Sequence, residues 1–271
     1  MPPLSKRVTT LEIVGCKRSG RKIVALTAYD ALFARLLDEA GVDIVLVGDS
    51  VNTVLAGQET TLSATLEQMI YHGRMVRAGV ERALLIVDLP FLSYQVSVEE
   101  AKRNAGRVMQ LTGASGVKLE GGQAMSDTVR ALTEIGIPVM GHVGYTPQSV
   151  HALGGPRVQG RGADAGERIM ADAKALEEAG AFAVVLELMP ADVATRVSEA
   201  LEIPTIGIGS GPGCDGQVLV LHDMLGLNER FHAKFVKPYA SLAEQVRGAV
   251  RQYAEDVRGG RYPDAAHSFE Q

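Results

Sequence analysis

Short apolar runs alternate with longer stretches of helical periodicity along the chain, and this repeat limits the possible folds more than any other feature. Eight runs are predicted to be strands, at residues 23–29, 43–50, 83–89, 116–121, 138–144, 182–188, 204–210 and 217–223. Their interiors are continuously apolar and rich in Val, Ile and Leu, which is typical of parallel strands that are buried on both faces. The repeat therefore predicts βα units and a parallel sheet.

Eight such steps in 271 residues favour one (β/α)8 barrel domain over residues 1–271, an α/β fold, rather than a doubly wound sheet. Cap signals mark several helices: one begins at the cap residue Asp30, and another begins with a capping box of Ser97 and Glu100. The predicted helices cover residues 30–40, 97–112, 126–135, 166–179 and 241–257. We expect a short N-terminal extension and a frayed C-terminal tail around this domain.

The composition and net charge of the chain indicate which class of molecule it binds. The net charge is −5 and the basic residues are scattered, which argues against nucleic acid or an anionic membrane as the main partner. The only cysteines, Cys16 and Cys214, are too few for a disulfide framework, and no apolar run approaches the ~20 residues of a membrane span. We therefore expect a cytoplasmic protein that acts on a small molecule.

Carboxyl groups stand at or near the ends of four predicted strands. Asp49, Asp88 and Glu187 each end an apolar run, and a fourth run carries Lys118 and Glu120 two positions apart. Parallel strands end at the same rim of a barrel, so these side chains converge there. A buried carboxylate is unfavourable unless it meets a cation or a hydrogen-bond donor. The cluster therefore indicates a divalent metal, a cationic partner or acid–base chemistry.

Lys118 and Glu120 share one face of their strand, because side chains alternate along a strand. Taken alone, the two residues fit a structural ion pair in the barrel interior equally well. Asp49 and Asp88 favour a functional explanation. Three acids and one lysine suit a Mg²⁺ site at which the lysine holds a substrate carboxylate.

Two further residues are candidates at this rim. Glu187 lies in an otherwise apolar run, a setting that suits a general base, and a hydrogen-bonded structural glutamate is the alternative. His142 stands near the end of another strand. It either donates a hydrogen bond to a substrate oxygen or packs as a core residue.

A GxGxxG sequence at Gly211, Gly213 and Gly216 is not interpreted as a dinucleotide site. Pro212 occupies a variable position, and the acidic residue expected about 20 residues later is not evident. A ligand-binding turn and a tight turn that only needs glycine both stay open. The sequence has no GxSxG and no HxH or HExxH pair, which weakens the serine-hydrolase and zinc-hydrolase hypotheses.

Ten short motifs follow one another along nearly the whole chain. They are LTAYDALFARLLDEAG (26–41), VGDS (47–50), DLPF (88–91), VKLEGG (117–122), GHVGYTPQSVHALGG (141–155), VQGRG (158–162), LELMP (186–190), IPTIGIGSG (203–211), DGQVLVLHDMLGL (215–227) and KFVKPYA (234–240). In this order they resemble the ketopantoate hydroxymethyltransferase (3-methyl-2-oxobutanoate hydroxymethyltransferase) family of pantothenate biosynthesis. The resemblance implies the (β/α)8 barrel of the phosphoenolpyruvate/pyruvate superfamily and a homo-oligomer, a decamer.

The resemblance also implies roles for the residues at the rim. One Mg²⁺ per subunit would be held by Asp49, Asp88 and Glu120, the last directly or through water. The 2-oxo acid would be bound by Asp49, Ser50, Asp88, Lys118 and His142. The catalytic proton acceptor would be Glu187.

The implied reaction is transfer of a hydroxymethyl group from 5,10-methylenetetrahydrofolate, a cosubstrate, to 3-methyl-2-oxobutanoate, giving 2-dehydropantoate. Glu187 would take the C3 proton, and the Mg²⁺-stabilised enolate would attack the folate methylene carbon. One alternative is a Mg²⁺-dependent carbon–carbon lyase or mutase of the same superfamily that acts on another 2-oxo acid, for which Cys16 and Cys214 are poorly placed as a loop nucleophile. Another is a barrel that binds a metabolite without catalysis, for which the base Glu187 is unnecessary.

Overall fold

The chain folds into a closed barrel of eight parallel strands. A computed structural model describes residues 6–269. The strands are β1 (Ile23–Thr27), β2 (Ile44–Val47), β3 (Leu84–Asp88), β4 (Gly116–Lys118), β5 (Val139–Gly144), β6 (Ala183–Glu187), β7 (Thr205–Ile208) and β8 (Gly216–Leu219). Each strand pairs with the next, and β8 pairs with β1. The predicted (β/α)8 barrel is confirmed.

Ten α-helices lie within residues 6–269. They are α1 (Thr10–Ser19), α2 (Ala31–Glu39), α3 (Val51–Val54), α4 (Leu66–Gly79), α5 (Val98–Thr112), α6 (Ser126–Glu134), α7 (Ala163–Glu178), α8 (Ala191–Ala200), α9 (Leu221–Met224) and α10 (Leu242–Arg258). Asp30 caps α2 by accepting the backbone N–H groups of Leu32 and Phe33. Ser97 caps α5 by accepting the N–H of Glu100, which is one half of the predicted capping box. The five predicted helices therefore match α2, α5, α6, α7 and α10 to within a few residues.

Alternate side chains of the strands fill the barrel interior. The core cluster includes Ile23, Ala25, Ile44, Leu46, Leu84, Ile86, Met140, Val185, Ile206 and Val218. Ile13 and Cys16 of α1, a helix that was not predicted, belong to the same cluster. Because the interior is packed with apolar groups, polar side chains that carry chemistry have room only at the ends of the strands.

The connection between β7 and β8, residues 209–215, contains no helix, and all of its residues are described. Gly216, the last glycine of the GxGxxG sequence, is the first residue of β8, so these glycines precede a strand. In a dinucleotide fingerprint they open a helix instead. A Cβ atom at Gly216 would lie 2.6 Å from the carbonyl oxygen of Ile23, so close contact between β8 and β1 requires glycine there.

The chain divides into two compact units between Val220 and Leu221. The first contains the barrel, and the second contains α9 and α10. Within the second, Arg247 donates hydrogen bonds of 2.6 and 2.9 Å to the Glu229 carboxylate. A single domain over 1–271 stays a prediction, as does the frayed tail, whose last two residues lie outside the described ones. No helix within residues 6–269 is long and apolar enough to cross a bilayer.

Candidate active site

The structure brings the predicted functional side chains together at the carboxyl end of five neighbouring strands, β2 to β6. We call these seven residues the rim residues: Asp49, Ser50, Asp88, Lys118, Glu120, His142 and Glu187. Three of them, Asp88, Lys118 and Glu187, are the last residues of β3, β4 and β6. The others lie within two or three residues of a strand end, so the strand order decides which of them are neighbours.

Lys118 forms a buried ion pair with Asp88. The two residues are opposite each other in the pairing of β3 with β4, and Lys118 Nζ lies 3.0 Å from Asp88 Oδ1. The other oxygen of this carboxylate, Asp88 Oδ2, accepts the backbone N–H of Asp49 at 3.1 Å. Burial opposes the charge on Lys118, but Asp88, Glu120 and Asp49 outweigh burial and raise the pKa of Lys118. The lysine therefore stays an ammonium, and its partner is Asp88 rather than Glu120.

Negative charge is crowded at this end of the barrel. Burial, followed by the nearby carboxylates of Asp88 and Glu120, raises the pKa of Asp49 to about 8. Burial also raises the pKa of Asp88. Burial opposes the charge on Glu120 as well, but His142 and Lys118 outweigh burial and lower its pKa. Additional positive charge would therefore stabilise the ionised form of Asp49.

His142 lies between two of the carboxylates. Its Nδ1 atom is 3.5 Å from Glu120 Oε1, and its Nε2 atom is 3.1 Å from Glu187 Oε2. Burial and Lys118 lower the pKa of His142, but Glu120 and Glu187 outweigh them and raise it to about 9. The ring is therefore an imidazolium near neutral pH, although neither ring nitrogen has a well-directed hydrogen bond. His142 connects Glu120 with Glu187 and is not only a core residue.

Glu187 is the rim carboxylate most open to solvent. Its side chain is 14% exposed, compared with 3% for Asp88 and for Glu120. Its backbone is held by Tyr145, whose N–H donates to the Glu187 carbonyl at 2.9 Å. Leu188, the next residue, has a φ of 47° and turns the chain directly after the strand. Glu187 is thus less deeply buried than its apolar run predicted, and it is accessible to a small molecule.

Gly144 provides the space for this arrangement, and we expect Gly144→Ala to displace Glu187. Gly144 has a φ of 95°, and an added Cβ atom would lie 2.3 Å from the Glu187 carbonyl oxygen. The variant should remain folded and lose catalytic activity, because a misplacement of about 1 Å can lower a rate about 10²-fold. Steady-state kinetics and a thermal melt check this. Gly248→Ala is the control, because an added Cβ there meets nothing within 4 Å. A Gly144→Ala variant with full activity would contradict the expectation.

Tyr29, which was not predicted from the sequence, contacts Ser50 at the rim. The Tyr29 hydroxyl lies 2.8 Å from Ser50 Oγ, and the ring of His72 contacts the Tyr29 carbonyl at 2.8 Å. Tyr29 follows β1 and is 1% exposed. Burial raises its pKa, so the hydroxyl keeps its proton. The rule that found the acids, a polar group at a strand end, would also have found this tyrosine.

Gln148 and Tyr94 were also missed. Gln148 is 5% exposed and lies in a 3₁₀ turn, Pro147–Ser149, inside the long segment that follows β5. Its side-chain amide contacts Asp49, and the Tyr94 hydroxyl donates to its carbonyl oxygen at 2.8 Å. Neither residue carries a charge or belongs to a predicted strand, so neither was predicted to be a site residue.

The carboxylates of Asp49, Asp88 and Glu120 suit a hard divalent cation by their chemistry, because Mg²⁺ prefers carboxylate oxygens and water. Asp88 Oδ1 and Glu120 Oε1 are buried and lack a hydrogen-bond partner. Within residues 6–269, however, no three His, Cys, Asp or Glu side chains are already arranged to hold a metal ion. The Lys118–Asp88 ion pair and the Gln148–Asp49 hydrogen bond occupy some of the oxygens concerned. The donor set fits such a cation, and the metal role stays a prediction.

Sequence comparisons identify related proteins over nearly the full length. A family model described as ketopantoate hydroxymethyltransferase matches residues 7–265. A 3-methyl-2-oxobutanoate hydroxymethyltransferase of Syntrophus aciditrophicus (strain SB) is 56% identical over 264 residues, which cover 97% of each chain. One of the same name from Moorella thermoacetica is 54% identical and covers 97% of this chain and 98% of its own.

Similar solved structures share the barrel at low sequence identity. A phosphonopyruvate hydrolase in complex with oxalate and Mg²⁺ has a TM-score of 0.60 and 14% identity, covering 92% of this chain and 99% of its own. A 2,3-dimethylmalate lyase of the PEP mutase/isocitrate lyase superfamily has a TM-score of 0.59 and 16% identity, covering 97% and 92%. At these identities the likeness is one of fold.

Proposed function

The chain belongs to the ketopantoate hydroxymethyltransferase family and is a transferase, and we propose that it converts 3-methyl-2-oxobutanoate to 2-dehydropantoate with 5,10-methylenetetrahydrofolate as the cosubstrate. The observation that carries the proposal is the family match over residues 7–265, a range that includes all seven rim residues. The lyase or mutase alternative has only the shared fold in its favour. In this proposal the product enters pantothenate biosynthesis.

In this proposal Asp49, Asp88 and Glu120 hold a divalent cation. The support is their clustering, the raised pKa of Asp49, and the two buried oxygens of Asp88 and Glu120 without hydrogen bonds. The bound cation would act as a Lewis acid on the keto group of the substrate. One Mg²⁺ per subunit is the proposed ion.

Lys118 and Ser50 bind the 2-oxo acid in this proposal. The Lys118 ammonium is buried and stays charged, so it attracts an anionic substrate strongly and stabilises negative charge that develops on a keto oxygen. Ser50 is oriented by the Tyr29 hydroxyl at 2.8 Å, which leaves the serine hydroxyl in a fixed position for the substrate carboxylate. Both groups are held in place before the substrate binds.

Glu187 is the proposed base that removes the C3 proton. It is the most exposed of the rim carboxylates, and its Oε2 atom lies 3.1 Å from Nε2 of the His142 imidazolium. The C3–H bond breaks as the proton moves to Glu187, and the electron pair forms the enolate. Carbon C3 then forms a bond with the methylene carbon of the folate, and both carbon–nitrogen bonds to that methylene break. One water supplies the hydroxyl oxygen, and the two folate nitrogens take up the proton held by Glu187 and one proton of the water.

Proton exchange tests this proposal without folate. We expect the chain and Mg²⁺ together to replace the C3 proton of 3-methyl-2-oxobutanoate with deuterium in heavy water, as followed by proton NMR. Excess chelator should stop the exchange, because the cation is needed to acidify C3. A barrel that only binds the metabolite would leave the proton in place, and this result would contradict the proposed chemistry.

The cytoplasmic location and the decameric assembly belong to the same proposal. Cys16 and Cys214 are both free and buried, which is compatible with a reducing compartment. The decamer rests on resemblance to the family. Size-exclusion chromatography with light scattering measures the assembly directly, and a monomer would contradict it.

A further inference from the structure

Gln148 contacts two of the three carboxylates proposed to hold the cation. Its side-chain Nε2 donates to Asp49 Oδ2 at 2.9 Å and to the carbonyl oxygen of Leu89 at 3.0 Å. Its backbone N–H donates to Glu120 Oε2 at 2.9 Å. One loop residue therefore connects the end of β2 with the end of β4.

The orientation of the Gln148 amide is fixed by its surroundings. The backbone carbonyl of Leu89 that faces its nitrogen only accepts hydrogen bonds, and so does the Asp49 carboxylate in its ionised form. On the other side of the amide, the side-chain oxygen Oε1 of Gln148 accepts hydrogen bonds from the Tyr94 hydroxyl at 2.8 Å and from Gln95 Nε2 at 3.1 Å. The amide therefore makes four hydrogen bonds in a buried position, and a flipped amide would lose the bonds to both acceptors.

This pattern determines which carboxylate oxygens are already used. Gln148 occupies Asp49 Oδ2 and Glu120 Oε2, and the backbone N–H of Asp49 occupies Asp88 Oδ2 at 3.1 Å. Among the oxygens of these three carboxylates, Glu120 Oε1 and Asp88 Oδ1 are buried without a hydrogen bond, and each faces a basic side chain, His142 Nδ1 at 3.5 Å and Lys118 Nζ at 3.0 Å. Each of the three carboxylates thus has one oxygen held by an N–H donor.

We propose that Gln148 is a positioning residue, which fixes one oxygen of Asp49 and one of Glu120 so that the other oxygen of each is presented to a divalent cation. This inference rests on the proposed function, because it assumes that the carboxylates bind metal. Gln148 acts through these carboxylates and not on the substrate. A neutral amide is suited to this role, because it donates to the carboxylate without adding a charge that would repel the cation.

Gln148→Met tests the inference, because Met has a similar length and removes the amide while the backbone N–H to Glu120 remains. We expect the variant of the full chain to bind Mn²⁺ about 10- to 100-fold more weakly, as is typical when a group that orients a metal ligand is removed. Electron paramagnetic resonance of free Mn²⁺, without substrate, measures this. Thermal melting is followed in parallel, since a purely structural role would lower the melting temperature and leave the Mn²⁺ affinity unchanged.

Gln252→Met is the control, because it makes the same chemical change on α10, where Gln252 is exposed and donates a hydrogen bond to Asp256 at 3.1 Å. We expect its Mn²⁺ affinity to equal that of the wild type. If Gln148→Met does not fold, Gln148→Asn replaces it with the same expectation, because its amide is one methylene too short to reach Asp49. If a folded Gln148 variant binds Mn²⁺ with wild-type affinity, the role proposed for Gln148 is wrong and the proposed metal site is unaffected. A wild-type chain without any Mn²⁺ binding would overturn the proposed metal site and this inference with it.

Discussion

Replacing Glu187 with Gln is expected to abolish deuterium exchange at C3 of 3-methyl-2-oxobutanoate while the substrate still binds. Gln has the same shape as Glu but cannot accept the proton, and general-base catalysis typically contributes about 10²–10⁴-fold to a rate. Formation of 2-dehydropantoate should fall by at least the same factor, because the enolate precedes the new carbon–carbon bond. Proton NMR in heavy water measures the exchange, and calorimetry in the presence of Mg²⁺ measures substrate binding.

The control for this variant is Glu134→Gln, which makes the same chemical change at the exposed end of α6. It should exchange the C3 proton at the wild-type rate. Unchanged exchange in Glu187→Gln would remove Glu187 as the base. Lost exchange together with lost substrate binding would indicate instead that Glu187 holds the substrate or orients His142, whose ring nitrogen lies 3.1 Å away.

Asp88→Asn is expected to weaken binding of the cation and of the 2-oxo acid together. The substitution keeps an oxygen that can accept the Asp49 N–H, at 3.1 Å in the wild type, but removes a negative charge beside Lys118. Asp88 is proposed to contact the cation directly. The variant should therefore lose more cation affinity than the about 10- to 100-fold that is typical when a group that only orients a metal ligand is removed. Mn²⁺ titration measures the first affinity, and calorimetry with 3-methyl-2-oxobutanoate measures the second.

Asp43→Asn is the matched control for Asp88→Asn. Asp43 is also buried, and its carboxylate also pairs with a basic side chain, that of Arg21 at 2.8 Å. Because Asp43 precedes β2, it lies at the opposite end of the barrel. Either substitution should lower the melting temperature, because it leaves a basic side chain, Lys118 or Arg21, without its carboxylate partner. Only Asp88→Asn should change Mn²⁺ affinity. If the two variants bind Mn²⁺ alike, Asp88 is not a metal ligand.

The barrel and the position of the charged groups could be predicted because both follow from local sequence. A strand that is buried on both faces must be continuously apolar, so a carboxylate such as Asp88 marks the point where the strand reaches an end of the barrel. Parallel strands that alternate with helices all point the same way, so Asp49 and Glu187 had to lie at one end although they are far apart in the chain. No knowledge of side-chain contacts was needed for this step.

The ion-pair and hydrogen-bond partners of those groups could not be predicted, because they depend on the register between neighbouring strands. The pairing of Asp88 with Lys118 follows from the register of β3 on β4, which the sequence of neither strand determines. Gln148 was missed for a different reason. It is uncharged and lies in a long loop, so only the folded chain reveals that its amide meets Asp49. Helix α1 was missed because the N-terminal segment carried no strand to which a βα step could be assigned.

The proposed function is tested by measuring the formation of 2-dehydropantoate from 3-methyl-2-oxobutanoate and 5,10-methylenetetrahydrofolate, first with Mg²⁺ and then with excess chelator. We expect product in the first reaction and none in the second, with activity restored when Mg²⁺ is added back. Product that forms equally with chelator would contradict the role of the cation at Asp49, Asp88 and Glu120. No product in either reaction, with both substrates intact, would contradict the proposed function itself.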